Sequence, residues 1–394
     1  MNLHIEQTFF LIILHPIIIN HMTSSSLLGQ ISIETFLANY WQKKPILIRS
    51  ALPHFSNLIS PDDLAALSMR TDLISRLILE GETWEVKSGP FSEDVLTGLG
   101  TSRWSLLVHD INFAVKQADT LLHSFDFIPK ARLDDLMISL SPQGGNVGPH
   151  YDSFDVFLLQ GLGKKRWQIS QQKDLGLIPD APLKLLSKFE PQEEWILEPG
   201  DMLYLPPHTA HYGVALDLCM TYSIGFRAPA YQELFHGFMD YLGESQHLYG
   251  RFTDPDLTYN QNSAILPEEL IESTCHQFQK IKWDRHDVIR FLGSYLTEPK
   301  NHVTFQRPKK ALNFSAFQQR ILKQGIRLHP GVKLLFHSNQ FWMNGKELSV
   351  IPIEYKALRH LANQRMLLDP ELLHNLILQQ KLYSWYLLGN IQIG

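Results

Sequence analysis

Cysteine is scarce in this chain. Only Cys219 and Cys275 occur in 394 residues, too few and too far apart for a disulfide framework or a thiolate zinc site. That scarcity fits a reducing compartment. A dominant charge of one sign is also lacking, since the formal net charge is -5. The bulk of the chain therefore has no electrostatic pull toward nucleic acid or an anionic membrane. Apolar runs long enough to cross a bilayer are missing too. The run "FFLIILHPIII", Phe9 to Ile19, is interrupted by His15 and Pro16 and follows Glu6 with no Lys or Arg before it. The "NHMTSSS" behind it has no A-x-A cleavage pattern, so it reads poorly as a signal peptide. Residues 1–21 are expected to be an extension outside the fold, with Met22 as the working start. Internal repeats and low-complexity segments are absent as well.

What the chain does have is apolar material. With 44% hydrophobic and 19% charged residues, it suits a soluble globular protein of two or three domains. From Ile33, "ETFLANYWQKKPILIRSAL" reads as a helix closing on a Pro-led strand. "SPDDLAALSM" follows as a helix with Ser60 as N-cap and Pro61 in its first turn. Between Thr83 and Gln117 the elements are short and mixed. From "DDLMISLS" to "TYSIGFRAP", short β-rich runs alternate with Gly and Pro turns, as in an all-β sandwich or barrel. Beyond Pro229 the pattern is helical through "YQELFHGFMDYLGE", "PEELIESTCHQFQKI" and "DVIRFLGSYL". After about Pro308 an α+β tail follows. In it "VKLLFHSNQFWMNGKELSV" reads as strands turning at Ser338-Asn339 and Asn344-Gly345, and "EYKALRHLANQ" and "PELLHNLILQQ" read as short helices.

The chemistry concentrates in the β-rich middle. "GGNVGPHYDSFDVFLLQGLGKKRWQIS", residues 144–170, opens with His150 and Asp152, which share a face if the segment is a strand. "LEPGDMLYLPPHTAHYGVAL" offers a third ligand from a distant strand at His211, with His208 as a competitor. Two imidazoles and one carboxylate hold one face of iron(II) and leave the other positions open, as non-haem oxygenases require. The pair alone is a weak signal, because H-x-D arises often by chance. Lys165 strengthens it. Alternation along "KKRWQIS" puts Lys165, Trp167 and Ile169 on one face and Lys164, Arg166 and Gln168 on the other. A lysine sharing its face with Trp and Ile points inward, and a buried ammonium calls for an anion. The 5-carboxylate of 2-oxoglutarate is one that fits. In "DDLMISLS", Met137, Ser139 and Ser141 share a face, so Ser139 offers a hydroxyl to the same carboxylate if that face lines the pocket. A serine facing solvent or its own backbone is the plain alternative. Gly144, Gly145 and Gly148 give the loop before His150 either close approach to a substrate backbone or ordinary flexibility.

The stretch "GGNVGPHYDSFDVFLLQGLGKKRW", together with "LEPGDMLYLPPHTAHYG" and "TYSIGFRAP", closely resembles the ribosomal oxygenases, and most closely their bacterial arginine 3-hydroxylases of large-subunit ribosomal protein L-sixteen. "YWQKKPILIRSAL", "WSLLVHDIN", "RLDDLMISLS" and "FWMNGKELSV" share the likeness, which extends from about Ile31 to the C-terminus. It implies an α+β protein with a double-stranded β-helix (jelly-roll) core of JmjC or cupin-like type. It further implies an enzyme that uses Fe(II), 2-oxoglutarate and O2 to hydroxylate a protein side chain, releasing succinate and carbon dioxide. On this resemblance His150, Asp152 and His211 are the iron ligands, Lys165 pairs with the 2-oxoglutarate carboxylate, and Ser139 contacts the cosubstrate. His211 is preferred to His208 by its spacing from the "PGD" turn.

Domain expectations follow the same resemblance. Residues 22–104 form an N-terminal α/β region packing on the core and 105–229 the catalytic domain. Residues 230–307 form a helical, dimerising region, and 308–394 a winged-helix-like domain. The tail mixes Lys323, Arg327 and Lys333 with Glu347 and Glu354 and lacks a dense basic stripe, so direct nucleic-acid binding is not expected. The expected partners are a large-subunit ribosomal protein and a second copy of the chain, in the cytoplasm and away from membranes. At Lys165 the chain departs from the arginine-hydroxylating branch, which carries arginine there, and matches the histidine-hydroxylating relatives. Arginine hydroxylation leads, with histidine hydroxylation and a catalytically silent ribosome-binding module as alternatives. The intact His-Asp-His set and Lys165 argue against the silent module.

Overall fold

The computed structural model describes residues 27–245, 250–259 and 261–394. The apolar run from Phe9 to Ile19 and the expected start at Met22 lie outside the described residues. The chain divides into two compact units, one ending at Ala228 and the other running from Pro229 to Gly394.

The first unit begins with α1 (Ile33–Asn39), where the Ser32 hydroxyl accepts from the Thr35 N–H at 3.1 Å, and β1 (Ile46–Ile48). Helix α2 (Pro61–Ser68) has the expected N-terminus: Ser60 and Asp63 form a reciprocal capping box, with Pro61 where its missing N–H is harmless. Then come β2 (Ser75–Glu80), β3 (Trp84–Ser88), α3 (Glu93–Thr97), β4 (Trp104–Val108) and α4 (Lys116–His123). The remaining strands are β5 (Leu133–Ser141), β6 (Asp155–Leu162), β7 (Lys165–Ser170), β8 (Glu193–Leu197), β9 (Met202–Leu205), β10 (Ala210–Ala215) and β11 (Cys219–Phe226). They form an eight-stranded sheet in the order β1-β9-β6-β11-β5-β4-β2-β3 and a three-stranded sheet in the order β10-β7-β8. Every pairing is antiparallel. The architecture is the expected double-stranded β-helix with flanking helices. The segment read as short and mixed contributes β3 and β4, which with β2 extend the main sheet. Local patterning does not reveal that long-range pairing.

Each central strand has two buried faces with different neighbours. Phe157 and Leu159 of β6, Met202 and Tyr204 of β9, and Met220, Tyr222, Ile224 and Phe226 of β11 join the large core with Leu27, Phe36, Leu121 and Phe125. The alternate residues Val156, Leu158, Leu203 and Leu205 meet Trp167, Ile169 and Leu197 in a smaller cluster between the sheets. Parity therefore decides which side chains enter the barrel. The turn at Gly200 (φ +92°) brings the backbone so near Leu52 that a Cβ there would lie 2.6 Å from its carbonyl oxygen, which excludes other residues.

The second unit contains α5 (Tyr231–Ser245), α6 (Glu268–Gln279), α7 (Arg285–Thr297) and α8 (Phe314–Gln324). Its tail adds β12 (Ile326–Leu328), β13 (Leu334–His337), β14 (Gln340–Met343), β15 (Lys346–Glu347), α9 (Tyr355–Gln364) and β16 (Met366–Leu367). It ends with α10 (Pro370–Leu373), α11 (Leu376–Leu387) and β17 (Ile391–Ile393). The expected meander turns where foreseen, with Ser338, Asn344 and Gly345 all at positive φ. The stretch "PELLHNLILQQ" differs from expectation because it is two helices. Asn375 interrupts it, its side chain accepting from the Leu378 N–H at 3.0 Å and capping a new helix.

One buried network ties the amino-terminal segment to the barrel. The fully buried carboxylate of Asp155 accepts from Arg132 at 3.0 Å, the Tyr204 hydroxyl at 2.6 Å and the Gln42 amide at 2.9 Å. Removing the carboxylate takes the acceptor from the buried Tyr204 hydroxyl and the half-buried Arg132 guanidinium. Asp155→Ala is expected to lower unfolding stability by about 3–5 kcal/mol in urea denaturation; a loss within experimental error would show that the network contributes little.

Candidate metal centre

The site is assembled where two distant segments meet edge to edge. His150 and His211 form an isolated antiparallel bridge, the His150 N–H donating to the His211 carbonyl at 3.0 Å and the reverse bond measuring 2.8 Å. This places the two rings with centroids 4.2 Å apart. His150, Asp152 and His211 each present a ligand atom, and these atoms lie within 4.8 Å of one another. The distance from His211 Nε2 to Asp152 Oδ2 is 3.8 Å. The residues singled out in the sequence are thus brought together, with one difference. His150 and Asp152 stand in the loop before β6, which starts at Asp155, and not within a strand. Pro149 has no N–H to offer a ladder, and the Asp152 carbonyl is engaged by the His208 N–H at 2.7 Å.

Backbone carbonyls orient both imidazoles. His150 Nδ1 lies 2.9 Å from the Gly148 oxygen, and His211 Nδ1 lies 2.9 Å from the Thr209 oxygen. A carbonyl only accepts, so each Nδ1 carries the proton and each Nε2 keeps a free lone pair. Burial, reinforced by His150, pulls the His211 imidazole well below its ordinary pKa and keeps it neutral. Burial pushes the Asp152 carboxyl up, while His150 and then Lys184 oppose the shift. Two imidazoles with Nδ1 held by carbonyls, together with a carboxylate, suit a divalent transition metal, and the donor set fits iron(II). His208 is exposed, at φ +63°, with its ring 5.7 Å from Tyr151, and it stands outside this cluster.

Lys165 is 5% exposed and sits 5.0 Å above the Trp167 ring. Its alternates behave as the pattern requires: Lys165, Trp167 and Ile169 are buried, whereas Lys164 is exposed and Arg166 and Gln168 are half-buried. Among the described residues no carboxylate forms an ion pair with it, and burial lowers its pKa. Ser139 lies opposite Thr221 across β5 and β11, and both are buried on the face opposite the large core. Gln160 and Cys219 share this barrel-facing parity, and the Thr221 hydroxyl donates to Gln160 Oε1 at 3.1 Å. Sequence reading missed Thr221 and Gln160. Their signal was available, since each is a polar residue at the barrel-facing parity of an apolar strand.

Comparison with known proteins agrees with this geometry. Residues 120–234 match the JmjC domain family, and residues 280–383 match the ROXA-like winged helix. The ribosomal protein uL16 3-hydroxylase of Escherichia coli is 34% identical over 319 residues, covering 79% of this chain and 84% of that protein. The crystallised E. coli ribosomal oxygenase YcfD superposes with a TM-score of 0.76 at 30% identity, covering 92% of this chain and 98% of that one. Its complex with cobalt and 2-oxoglutarate superposes with a TM-score of 0.75 over the same shares. The fold and the match together define a JmjC-type 2-oxoglutarate oxygenase with a winged-helix domain. The chain belongs to the ribosomal oxygenase family.

His208→Gly is expected to bind cobalt(II) within about twofold of the parent and to melt at the same temperature or slightly higher, since glycine relieves the left-handed backbone. His211→Ala is expected to lose cobalt binding. Calorimetric titration of the two variants separates these residues, and loss of binding in His208→Gly would reverse the choice of ligand.

Proposed function

We propose that the chain hydroxylates an arginine side chain of a large-subunit ribosomal protein, with Fe(II) held by His150, Asp152 and His211. The observation that carries the oxygenase part of this reading is the buried, unpaired ammonium of Lys165 in the same barrel as the convergent His-Asp-His set. Lys165 binds the 5-carboxylate of 2-oxoglutarate, and Ser139 and Thr221 add hydroxyls on the facing strands. Iron(II) with 2-oxoglutarate and O2 supplies, when bound, the oxidative decarboxylation that transfers one oxygen atom to an unactivated carbon. The protein's part is placement. Gly148 and Thr209 carbonyls hold the imidazoles with Nε2 exposed to the metal, and the apolar wall of Val156, Leu158 and Trp167 keeps water from the cosubstrate end.

The substrate class is supported by the E. coli relative, named a uL16 3-hydroxylase. Lys165 favours a second reading, in which the target is histidine, because the histidine-hydroxylating branch has lysine there.

The helices of 230–307 are assigned to a homodimer interface and 308–394 to the winged-helix-like domain. Tyr231, Phe235, Phe278 and Trp283 are 91%, 59%, 64% and 60% exposed, a density of large apolar side chains that suits burial against a second copy. The protein acts in the cytoplasm on its ribosomal substrate, without direct nucleic-acid contact. Among the described residues no helix is long and apolar enough to cross a membrane.

Mass spectrometry of ribosomal proteins from cells carrying the parent chain or His150→Ala tests the assignment. One added oxygen atom, present only with the parent and mapped to arginine, is the expected result. The same gain on histidine would move the protein to the second reading, and identical spectra from both strains would overturn the ribosomal assignment.

A further inference from the structure

We infer that Asn146 is a positioning residue of the metal centre: braced by Glu80, its side-chain amide sets the loop that holds the His150 imidazole. The inference rests on the reading of His150 as a metal ligand and adds to it a residue that no part of that reading requires. Asn146 is 2% exposed and its amide is fully used. Nδ2 donates to the Gly144 carbonyl at 2.9 Å and to Glu80 Oε2 at 2.7 Å, while Oδ1 accepts from the Gly148 N–H at 2.9 Å. Its backbone carbonyl accepts from the Ser105 hydroxyl at 3.1 Å. Glu80, the last residue of β2, is held from its other side by the Arg103 guanidinium at 3.4 Å.

The consequence lies at Gly148. This residue has φ +75°, a left-handed conformation that favours glycine, and a glycine backbone turns freely unless held. The Asn146 amide holds the nitrogen of Gly148, and the oxygen of Gly148 holds Nδ1 of His150 at 2.9 Å. Three hydrogen bonds therefore connect the Glu80 carboxylate, through Asn146 and Gly148, to a ring whose other nitrogen faces the metal. Pro149 follows with no N–H, and its carbonyl accepts from the Leu186 N–H at 2.9 Å, so the loop is held beyond Gly148 while the Asn146 amide holds Gly148 itself. Without Asn146 the Gly148 nitrogen loses that restraint, and its carbonyl turns from Nδ1 more readily. His150 then loses both the acceptor that fixes its tautomer and the anchor that fixes its ring. Outer groups that orient a ligating histidine typically account for about 10–100-fold in metal affinity.

Cobalt(II) titration of the metal-free protein by calorimetry, without cosubstrate, reads this directly. Asn146→Ala is expected to bind about 10–100-fold more weakly than the parent and, with three hydrogen bonds lost at a buried residue, to melt at a lower temperature. Asn146→Asp sets a carboxylate against Glu80 and is expected to bind weakly as well. Glu80→Gln combined with Asn146→Asp restores an amide-to-carboxylate bond with the partners exchanged, though not the bond to the Gly144 carbonyl, and affinity is expected to recover in part. General loosening of the fold would not produce that recovery. Parent-like affinity in Asn146→Ala, or a double variant as weak as Asn146→Asp, would overturn the inference. His150→Ala is the reference. If it binds cobalt as the parent does, the ligand reading itself fails; if it loses cobalt while Asn146→Ala does not, only the positioning role fails.

Discussion

A buried ammonium without a buried carboxylate constrains everything around it. Lys165 reaches the barrel interior because its strand alternates, and Trp167 and Ile169 on the same face are core residues that will not move outward. Exposing the lysine by a one-residue slip would expose the tryptophan too. Strand register, packing and charge are therefore coupled, and an incoming anion resolves the conflict at lower cost than a change of fold. Ser139 and Thr221, in register across β5 and β11, are buried hydroxyls on the face of those strands opposite the large core.

The metal side of the site follows a different logic. It is built at the edge of regular structure, where the His150–His211 bridge closes two segments and loops take over. Loops allow Nδ1 of each imidazole to bind a carbonyl two residues earlier in its own chain, at Gly148 and Thr209. Such local bonds set the tautomer at each ring. The Asn146–Glu80 bond adds a long-range restraint at the loop before His150, where Gly148 is left-handed. The winged-helix unit contributes none of these groups.

Much of this was legible in the residues themselves. Parity put Lys165 on the buried face with Trp167 and Ile169, and for Ser139 it fixed only the face shared with Met137 and Ser141. Caps and turns were equally plain, as at Ser60–Pro61 and Asn344–Gly345. Three features were not legible, each for a physical reason. The pairing of β2, β3 and β4 with the main sheet depends on contacts between distant segments, which local pattern does not encode. The loop character of His150 and Asp152 arises from the His208 N–H binding the Asp152 carbonyl, again across a long separation. Nothing in the sequence singles out Asn146, and only its meeting with Glu80 gives it a role. The division of α10 from α11 at Asn375, by contrast, was written in the sequence as a cap and was read too smoothly.

The central claim is that one pocket holds a metal on His150, Asp152 and His211 and an anionic 2-oxo acid on Lys165. Anaerobic titration of iron(II) into the protein with 2-oxoglutarate, followed by the visible charge-transfer band of the chelated keto acid, tests both halves together. The band is expected to appear with the parent at one equivalent of iron. With Lys165→Met it is expected to require about 10–100-fold more 2-oxoglutarate, the loss of one charge-assisted hydrogen bond. A parent protein that gives no band, or a Lys165→Met variant that saturates at the parent's concentration, would contradict it.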